Sequence, residues 1–380
     1  MGPLTGSKII ELGGIGPAPM AAMMLADMGA DVVRIDRKEA ARASYAADPK
    51  FAVNSRSRRS IAVDLKQRAG VQLALRLIDQ ADALIEPFRP GVAEKLDLGP
   101  EICLRRNPAL VYCRMTGWGQ TGPLSSSAGH DLNYIALTGA LHAIGRAGEK
   151  PTIPLNLIGD YGGGGMLLAF GLVCGLLEAR RSGKGQVVDA AMVDGVAVLF
   201  SAVSGMHASG TWRDERAANV LDGAAHFYNV YETSDGKYVS IAAIEPRFYS
   251  LLLLKLGIAE NALPDQMDRS GWSGLAERFA AIFKTKTRQE WCEIMEGTDV
   301  CFAPVLSIAE APEHHHAWNR NAYVDVGGVR QAAPAPRFSR TPGEARPGPR
   351  EPGADGEAVL IDYGFSLQER VDLKAAGVIA

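Results

Sequence analysis

The first part of the chain alternates short β-type runs with helix-compatible runs, and this alternation constrains the fold more than any other feature. Lys8–Leu12 predicts a strand, the turn GGIGPAP follows it, and Met20–Met28 and Ala30–Ile35 predict a helix and a second strand. This order forms a right-handed βαβ unit. The pattern continues with strands predicted over Ser60–Leu65, Ala83–Glu86 and Pro108–Met115 and a helix over Arg68–Gln80. We therefore expect an α/β fold with a parallel, doubly wound sheet.

The glycine-rich turn after the first strand partly matches a dinucleotide-binding motif. Gly14 and Gly16 fit the first two glycines of GxGxxG, and Asp36 follows about 20 residues on, where an acid would bind a ribose. The third position is Pro19, which stiffens the turn where close helix–strand packing requires a small residue. The partial match disfavours a dinucleotide site.

Basic residues cluster at or near the ends of the predicted strands. They are Arg34, Arg37, Arg56, Arg58, Arg59, Lys66 and Arg89. In a doubly wound sheet the carboxyl ends of the strands form the ligand crevice, and several cations there suit a polyanionic ligand with phosphates. A solvated basic surface is the alternative for any single arginine.

The length of 380 residues is sufficient for two domains. We expect a large domain over residues 1–200 that residues 330–380 complete, a linker over 201–225, a smaller α+β domain over 226–325, and an extended linker over 326–355. In the smaller domain, two β runs joined by ThrSerAspGly predict a hairpin beginning at Phe227. Helices are predicted there over Pro246–Leu256, Gly274–Thr285 and Arg288–Gly297.

Three further segments of the large domain are assigned from pattern. Gln186–Met192 predicts a strand that leads into a helix over Asp194–His207. In the tail, AVLIDYGF predicts a strand and SLQERVDLKAAG a helix. The apolar run Met166–Leu177 is interrupted by glycines and soon meets charged residues, so it predicts a buried helix.

Composition narrows the class of protein. A net charge of −3 argues against nucleic acid or an anionic membrane surface as a partner. Five scattered cysteines without a CxxC pair, after an amino terminus unlike a signal peptide, favour a reducing, cytoplasmic location. We expect neither a membrane span nor a disulfide framework.

Three titratable residues, His130, Asp160 and Glu245, are candidates for acid–base chemistry. His130 and Asp131 precede one apolar run, and Asp160 precedes a run of four glycines. Glu245 stands between an apolar strand and Pro246. Each of these residues also suits the start of a helix, where it would cap the helix or interact favourably with the helix dipole. Pattern alone does not bring them together in space.

The remaining histidines and cysteines offer weaker candidates. His314, His315 and His316 are consecutive, so their side chains point in different directions, and no cysteine or further histidine lies at ligand spacing. We therefore predict a surface segment and no metal site.

Several motifs resemble those of the class III CoA-transferase superfamily. They are IIELGGIGPAPMAAMMLADMGADVVRIDR from Ile9, AVDLK at 62–66, RPGVAEKLDLGP at 89–100, RMTGWGQTGP at 114–123, GHDLNYIALTGALHAIG at 129–145, LNLIGDYGGGG at 155–165 and SGKGQVVDAAMVDG at 182–195. The resemblance extends over essentially the whole chain. Transferases of this superfamily generally lack a histidine at the position of His130 and use an aspartate resembling Asp160 as nucleophile. The racemases pair both residues, so GHDLNY points to the racemase branch.

The resemblance implies a Rossmann-like large domain, a smaller domain and an interlocked homodimer. It implies an isomerase that interconverts the two C2 epimers of 2-methylacyl-CoA thioesters, with no cofactor, since coenzyme A is part of the substrate. The implied catalytic residues are His130, Asp160 and Glu245. The implied contacts with coenzyme A are Ile15, Arg37, Leu65, Lys66 and Arg89, and those with the acyl thioester and its enolate oxygen are Asp131, Tyr134, Asn156, Tyr161 and Gly162.

Overall fold

A computed structural model describes residues 2–37, 48–259, 263–348 and 351–380. By its internal contacts the chain divides into two units. The first comprises Met1–Thr138, Leu155–Leu199 and His316–Ala380, and the second comprises Gly139–Pro154 and Phe200–His315. The second unit thus includes residues 139–154, which we had placed in the large domain, and also residues 201–225, which we had assigned to a linker.

The first unit is built on a six-stranded parallel sheet. Its strands are β1 (Lys8–Leu12), β2 (Asp31–Arg37), β3 (Arg59–Val63), β4 (Ala83–Glu86), β5 (Val111–Thr116) and β6 (Gln186–Ala191). The order is β3-β2-β1-β4-β5-β6, with all neighbours parallel. This is the order of a Rossmann fold, so the predicted parallel, doubly wound sheet is confirmed.

Helices cover both faces of this sheet. They are α1 (Pro17–Asp27), α2 (Arg68–Ile78), α3 (Val92–Lys95), α4 (Pro100–Arg106), α5 (Asp131–Leu137), α7 (Leu167–Ser182), α8 (Met192–Leu199), α14 (Gly356–Asp362) and α15 (Leu367–Ala375). One apolar core joins α2, α4 and α14 to one face of the sheet, and a second joins α1 and α7 to the other face. Strands β1 to β5 are therefore largely buried, which explains their apolar runs, whereas β6 at the edge of the sheet is mostly exposed.

The tail is helical where we had predicted a strand. Residues of AVLIDYGF form α14, and Val359, Leu360 and Tyr363 are its buried side chains. Their spacing matches one face of a helix and does not alternate as in a strand. Gly364 follows with a φ of +76°, a conformation common just after a helix end. The strand prediction was wrong because a short apolar run fits either structure.

Two other predictions differ from the structure. The helix predicted over Asp194–His207 is two helices, α8 and α9 (Ser201–Ala208), which are separated at Phe200. The segment predicted as an extended linker over 326–355 begins with a hairpin, in which β10 (Tyr323–Val326) pairs with β11 (Val329–Ala332). Gly327 and Gly328, both with positive φ, form its turn.

The apolar helix after the glycine run is only partly buried. Together with the segment before it, it forms a helical run of 26 residues, Leu157–Ser182, that is long and apolar enough to cross a membrane. Half of its most apolar window is nevertheless buried inside the chain. One face of α7 packs on the sheet, whereas Phe170, Val173 and Leu177 are exposed. The prediction of a buried helix therefore holds for one face of α7 only.

The second unit contains a three-stranded antiparallel sheet and several helices. The sheet order is β7 (Tyr228–Glu232), β8 (Tyr238–Ala242), β9 (Phe302–Val305), and β7 and β8 form the predicted hairpin. Its other elements are α6 (Ala140–Ala143), α9, α10 (Pro246–Leu256), α11 (Trp272–Phe283) and α12 (Arg288–Met295), and α13 (His315–Asn319) begins at its last residue. Aromatic side chains such as Phe227, Phe279 and Trp291 fill its core.

Candidate active site

His130 is held at the start of α5 by its own backbone. Its N–H donates to Oδ1 of Asn133 at 3.0 Å, and its carbonyl oxygen accepts the N–H groups of Asn133 and Tyr134. Tyr134 is 6% exposed and its hydroxyl donates to the carbonyl of Gly129, one residue before His130. The imidazole itself is exposed. The segment GHDLNY thus fixes the backbone of His130 and leaves its imidazole ring accessible. The Tyr134 hydroxyl, which we had predicted to contact substrate, forms a hydrogen bond within this segment.

Asp131 is the first residue of α5 and connects the two acid–base candidates. Its side chain is buried, and its Oδ1 accepts the backbone N–H of Asp160 at 2.6 Å. Oδ2 of Asp131 is buried without a hydrogen-bond partner among the described residues. A helix leaves the N–H groups of its first turn without intrahelical acceptors, so the backbone N–H of Asp131 can donate to another group.

Asp160 lies within a π-helical segment, Leu157–Met166, that leads directly into α7. π-Helical turns are rare and occur frequently at functional sites. In a π-helix each N–H donates to the carbonyl five residues earlier, so the N–H groups of Gly162–Gly165 are engaged within the segment. Gly162 was predicted to contact the enolate oxygen, and this bonding removes its N–H from that role.

The π-helical segment and α8 are in close backbone contact, which explains the glycines at Gly163 and Gly195. A Cβ placed on Gly195 of α8 would lie 1.9 Å from the carbonyl oxygen of Gly163. The two backbones therefore touch, and no larger residue fits at Gly195 without moving one of them. This contact fixes the segment that carries Asp160.

The environment of the Asp160 carboxyl favours its protonated form. Burial raises its pKa, and the Asp131 carboxylate raises it further, whereas a hydrogen bond from Nδ2 of Asn156 at 3.1 Å and the nearby His130 lower it. The net result is a pKa above the usual value of an aspartate. Gly16, with a φ of +68°, faces this carboxyl, and a Cβ there would lie 3.3 Å from Oδ2 of Asp160. Sequence reasoning did not anticipate that Gly16 faces this carboxyl or that the Asp131 side chain contacts Asp160, because each contact joins distant parts of the chain.

His130 and Asp160 line one open cleft of about 560 Å³, the His130–Asp160 cleft. Its lining residues are His130, Asp131, Leu132, Leu155, Asn156, Asp160 and Tyr161. The structure thus brings together most of the predicted residues of the acyl thioester site. The Tyr161 hydroxyl also accepts a hydrogen bond from Nδ2 of Asn54, at 3.4 Å. The cleft offers an imidazole and a partly buried carboxyl to one small molecule.

The residues predicted to bind coenzyme A follow the carboxyl ends of four neighbouring strands. Ile15 follows β1, Arg37 ends β2, Leu65 and Lys66 follow β3, and Arg89 follows β4. Because carboxyl ends of parallel strands share one edge of the sheet, these side chains start from the same edge. Arg37, Lys66 and Arg89 are exposed, and no described carboxylate pairs with any of them. This edge can attract phosphates.

The other clustered arginines are engaged in ion pairs within the fold. Arg34 pairs with Asp36 at 2.8 Å, Arg56 with Asp27 at 2.6 Å, and Arg58 with Glu11 in the interior. Arg59 lies at the start of β3 and pairs with Asp31 and Asp362, each at 2.6 Å. Each of these four cations thus neutralises a carboxylate of the fold, whereas Arg37, Lys66 and Arg89 are exposed at the carboxyl edge of the sheet.

Glu245 belongs to the second unit. It precedes α10, with Pro246 as the first helical residue, and its carbonyl oxygen accepts the N–H groups of Phe248 and Tyr249. Its side chain is exposed. Glu245 therefore stands at the start of a helix, which is one of the two roles predicted for it from the sequence. Its carboxylate is accessible to solvent.

Comparisons with known proteins agree with this architecture. The model of CoA-transferase family III matches residues 4–356. A protein of Mus musculus called alpha-methylacyl-CoA racemase is 44% identical over 380 residues, which cover 99% of this chain and 97% of that protein. Its namesake from Homo sapiens is 43% identical over 386 residues, with 99% and 97% coverage. The crystal structure of a CAIB/BAIF family protein from Brucella suis superposes with a TM-score of 0.83 at 25% identity, and it covers 95% of this chain and 99% of that one. The chain belongs to CoA-transferase family III.

Proposed function

We propose that this protein is a racemase that interconverts the (2R) and (2S) epimers of 2-methylacyl-CoA thioesters. The observation that carries the proposal is the presence of the His130 imidazole and the Asp160 carboxyl, whose pKa is raised, in one cleft. Two proteins called alpha-methylacyl-CoA racemase that match nearly the full length of this chain support it. Inversion at carbon requires one group that removes a proton and another that delivers one to the opposite face.

The reaction proceeds through an enolate of the thioester. The thioester carbonyl makes the C2 proton acidic, and removal of that proton places negative charge on the carbonyl oxygen. His130 removes the proton from the (2S) epimer, and Asp160 donates a proton to the other face. In the reverse direction Asp160 is the base and His130 the acid. Atoms and charge balance in each direction, because one proton leaves C2 and another arrives.

The two groups must begin each turnover in opposite protonation states. An aspartate with an ordinary pKa is a poor acid near neutral pH. Burial and the Asp131 carboxylate raise the pKa of Asp160, so a larger fraction of it is protonated and can donate. Neutral His130 and protonated Asp160 form the state that acts on the (2S) epimer.

The backbone N–H of Asp131 is the proposed donor to the enolate oxygen. It begins α5 beside His130, and the positive end of the α5 dipole lies there. A donor aimed at developing charge stabilises the transition state more than the ground state. The N–H of Gly162, the other candidate for this role, is engaged within the π-helical segment.

Coenzyme A is part of the substrate in this proposal, and the chemistry requires no separate cofactor. Its phosphates suit the exposed cations Arg37, Lys66 and Arg89 at the carboxyl edge of the sheet, and Ile15 and Leu65 suit its adenosine. Guanidinium and ammonium groups both bind phosphate well.

Glu245 and the subunit arrangement complete the proposal. We propose an interlocked homodimer in which Glu245 of one subunit hydrogen-bonds the His130 imidazole of the other, and thereby fixes its tautomer. The exposed apolar side chains Phe170, Val173 and Leu177 on α7 support association, since a contiguous apolar surface commonly marks a protein interface.

A solvent-exchange assay tests the proposed activity. In D2O, the wild-type protein should introduce deuterium at C2 of either pure epimer of a 2-methylacyl-CoA and convert both to the same mixture. Absence of exchange from both epimers would contradict the racemase proposal. A CoA-transferase that uses Asp160 as nucleophile is the alternative, and it would form a covalent aspartyl adduct that hydroxylamine traps and would depend on a carboxylate acceptor.

A further inference from the structure

Outside the cleft, three metal-ligating side chains converge in the second unit. Glu296, His314 and His315 each offer one ligand atom, and these atoms all lie within 4.8 Å of one another. Oε1 of Glu296 lies 2.8 Å from Nε2 of His314 and 3.7 Å from Nε2 of His315. The side chains of Glu296 and His314 are 24% and 22% exposed, so the cluster is partly sheltered.

The cluster joins the end of α12 to a pair of consecutive histidines about 20 residues further along the chain. Glu296 directly follows α12, His314 follows the 3₁₀ turn Ala311–Glu313, and His315 begins α13. The two imidazole rings lie 4.5 Å apart between centroids and are tilted by 35°. We had predicted no metal site here because the side chains of consecutive residues point in different directions. The structure brings the Glu296 carboxylate, from the end of α12, close to the imidazoles of both His314 and His315.

Histidine and carboxylate are among the ligands that zinc takes in proteins, and three protein ligands leave a fourth position for water. Cys292 lies one turn before Glu296, but its thiol does not belong to the convergent group of ligand atoms.

We propose that Glu296, His314 and His315 bind one zinc ion, with water in the fourth position. Ligand atoms about 2.0–2.1 Å from a tetrahedral zinc stand about 3.3 Å apart. The distances from Glu296 to the two imidazoles, 2.8 and 3.7 Å, lie on either side of that separation, and all three ligand atoms lie within 4.8 Å of one another.

The proposed site has a structural consequence. The ion would join the end of α12 to the segment through which the chain leaves the second unit, between His315 and His316. A ligand that binds the folded state alone raises its stability. Zinc should therefore raise the melting temperature of the protein, and chelation should lower it.

Cobalt substitution tests the site with its own spectrum. Protein without a histidine tag is stripped with chelator and titrated with Co²⁺. We expect one equivalent to bind with the visible bands of a tetrahedral ion, and Zn²⁺ should displace it. Weak binding without these bands, or binding of several equivalents, would mean adventitious surface binding and would overturn the proposal.

Substitutions distinguish this cluster from general histidine binding. Glu296→Gln and His314→Ala should lower zinc affinity by more than the roughly 10–100-fold that loss of an outer-shell partner costs. His316→Ala, the matched control next to the cluster, should leave affinity and spectrum unchanged. Equal effects of His314→Ala and His316→Ala would contradict the site, and circular dichroism of each metal-free variant verifies that it is folded.

Discussion

At the scale of single residues, Asp131 acts on Asp160 in two ways. Its Oδ1 accepts the Asp160 backbone N–H at 2.6 Å, which positions the residue. Its carboxylate also raises the pKa of the Asp160 carboxyl, in addition to the larger effect of burial. We therefore consider Asp131 a positioning residue through its side chain, in addition to the proposed role of its backbone N–H.

Asp131→Asn separates these two effects. The amide oxygen can still accept the Asp160 N–H, but the negative charge is lost, so the pKa of Asp160 should fall. The pH–rate profile for epimerisation has an acidic limb, and Asp160 is fully protonated at pH values below it. Because the pKa of Asp160 falls in the variant, this limb should shift to lower pH. Profiles of kcat/KM for wild type and variant test this. An unchanged acidic limb with unchanged activity would contradict the electrostatic role of Asp131.

At the scale of elements, the contact between the π-helical segment and α8 positions the Asp160 carboxyl, the proposed acid. Gly195 and Gly163 bring the two backbones together, and a Cβ at Gly195 would lie 1.9 Å from the Gly163 carbonyl oxygen. Asp160 precedes Gly163 by less than one turn, so displacement of the segment displaces its carboxyl.

Gly195→Ala should therefore lower both stability and activity. Overpacking of this kind costs about 1–3 kcal/mol, and epimerisation should fall because Asp160 moves relative to His130. Urea unfolding and turnover measure the two effects. Gly205→Ala in α9 is the control, because a Cβ there meets no described atom within 4 Å. Its stability should stay unchanged or rise by about 0.4–1 kcal/mol. Equal behaviour of the two variants would contradict the contact.

The elements that sequence predicted well are those with strong, continuous patterns. The predicted bounds of β1 and β4 coincide with the observed ones, and the β7–β8 hairpin lies where its turn sequence indicated. Buried parallel strands carry uninterrupted apolar runs, which makes them easy to detect. α14 was mistaken for a strand, and the π-helical segment was not anticipated at all, because its conformation depends on the tertiary contact with α8.

The site was predictable only in part. His130 and Asp160 stood out in the sequence because each is a titratable residue next to an apolar run. The resemblance to class III CoA-transferases then assigned them a shared role. Pattern could not show that they line one cleft, since 30 positions separate them. The same reason applies to the cluster at Glu296: the sequence displays the three histidines, but the carboxylate that meets two of them comes from another element.

At the scale of the whole molecule, the exposed face of α7 is the feature that a single chain does not explain. Phe170 and Leu177 are 67% and 72% exposed, and Val173 lies between them on the same helical face. In a monomer these apolar side chains are exposed to water, which is unfavourable, whereas the proposed interlocked dimer would bury this apolar stripe of Phe170, Val173 and Leu177.

Charges in this stripe should disrupt the dimer. We expect wild type to be dimeric by light scattering coupled to size-exclusion chromatography, and Phe170→Glu with Leu177→Glu to be monomeric and less active, because desolvating these carboxylates at an interface is unfavourable. Leu367→Glu is the control, since Leu367 is equally exposed, at 67%, but lies at the start of α15. A monomeric wild type would contradict the proposed assembly.

The central claim, that His130 and Asp160 are the two bases, is tested most directly by exchange in single variants. Asp160→Asn and His130→Gln should each lower epimerisation by about 10²–10⁴-fold, the contribution of one acid–base group. In D2O, Asp160→Asn should still exchange the C2 proton of the (2S) epimer, without inversion, and His130→Gln that of the (2R) epimer. Exchange of both epimers at wild-type rates in either variant, or loss of exchange from both epimers in both variants, would contradict the account.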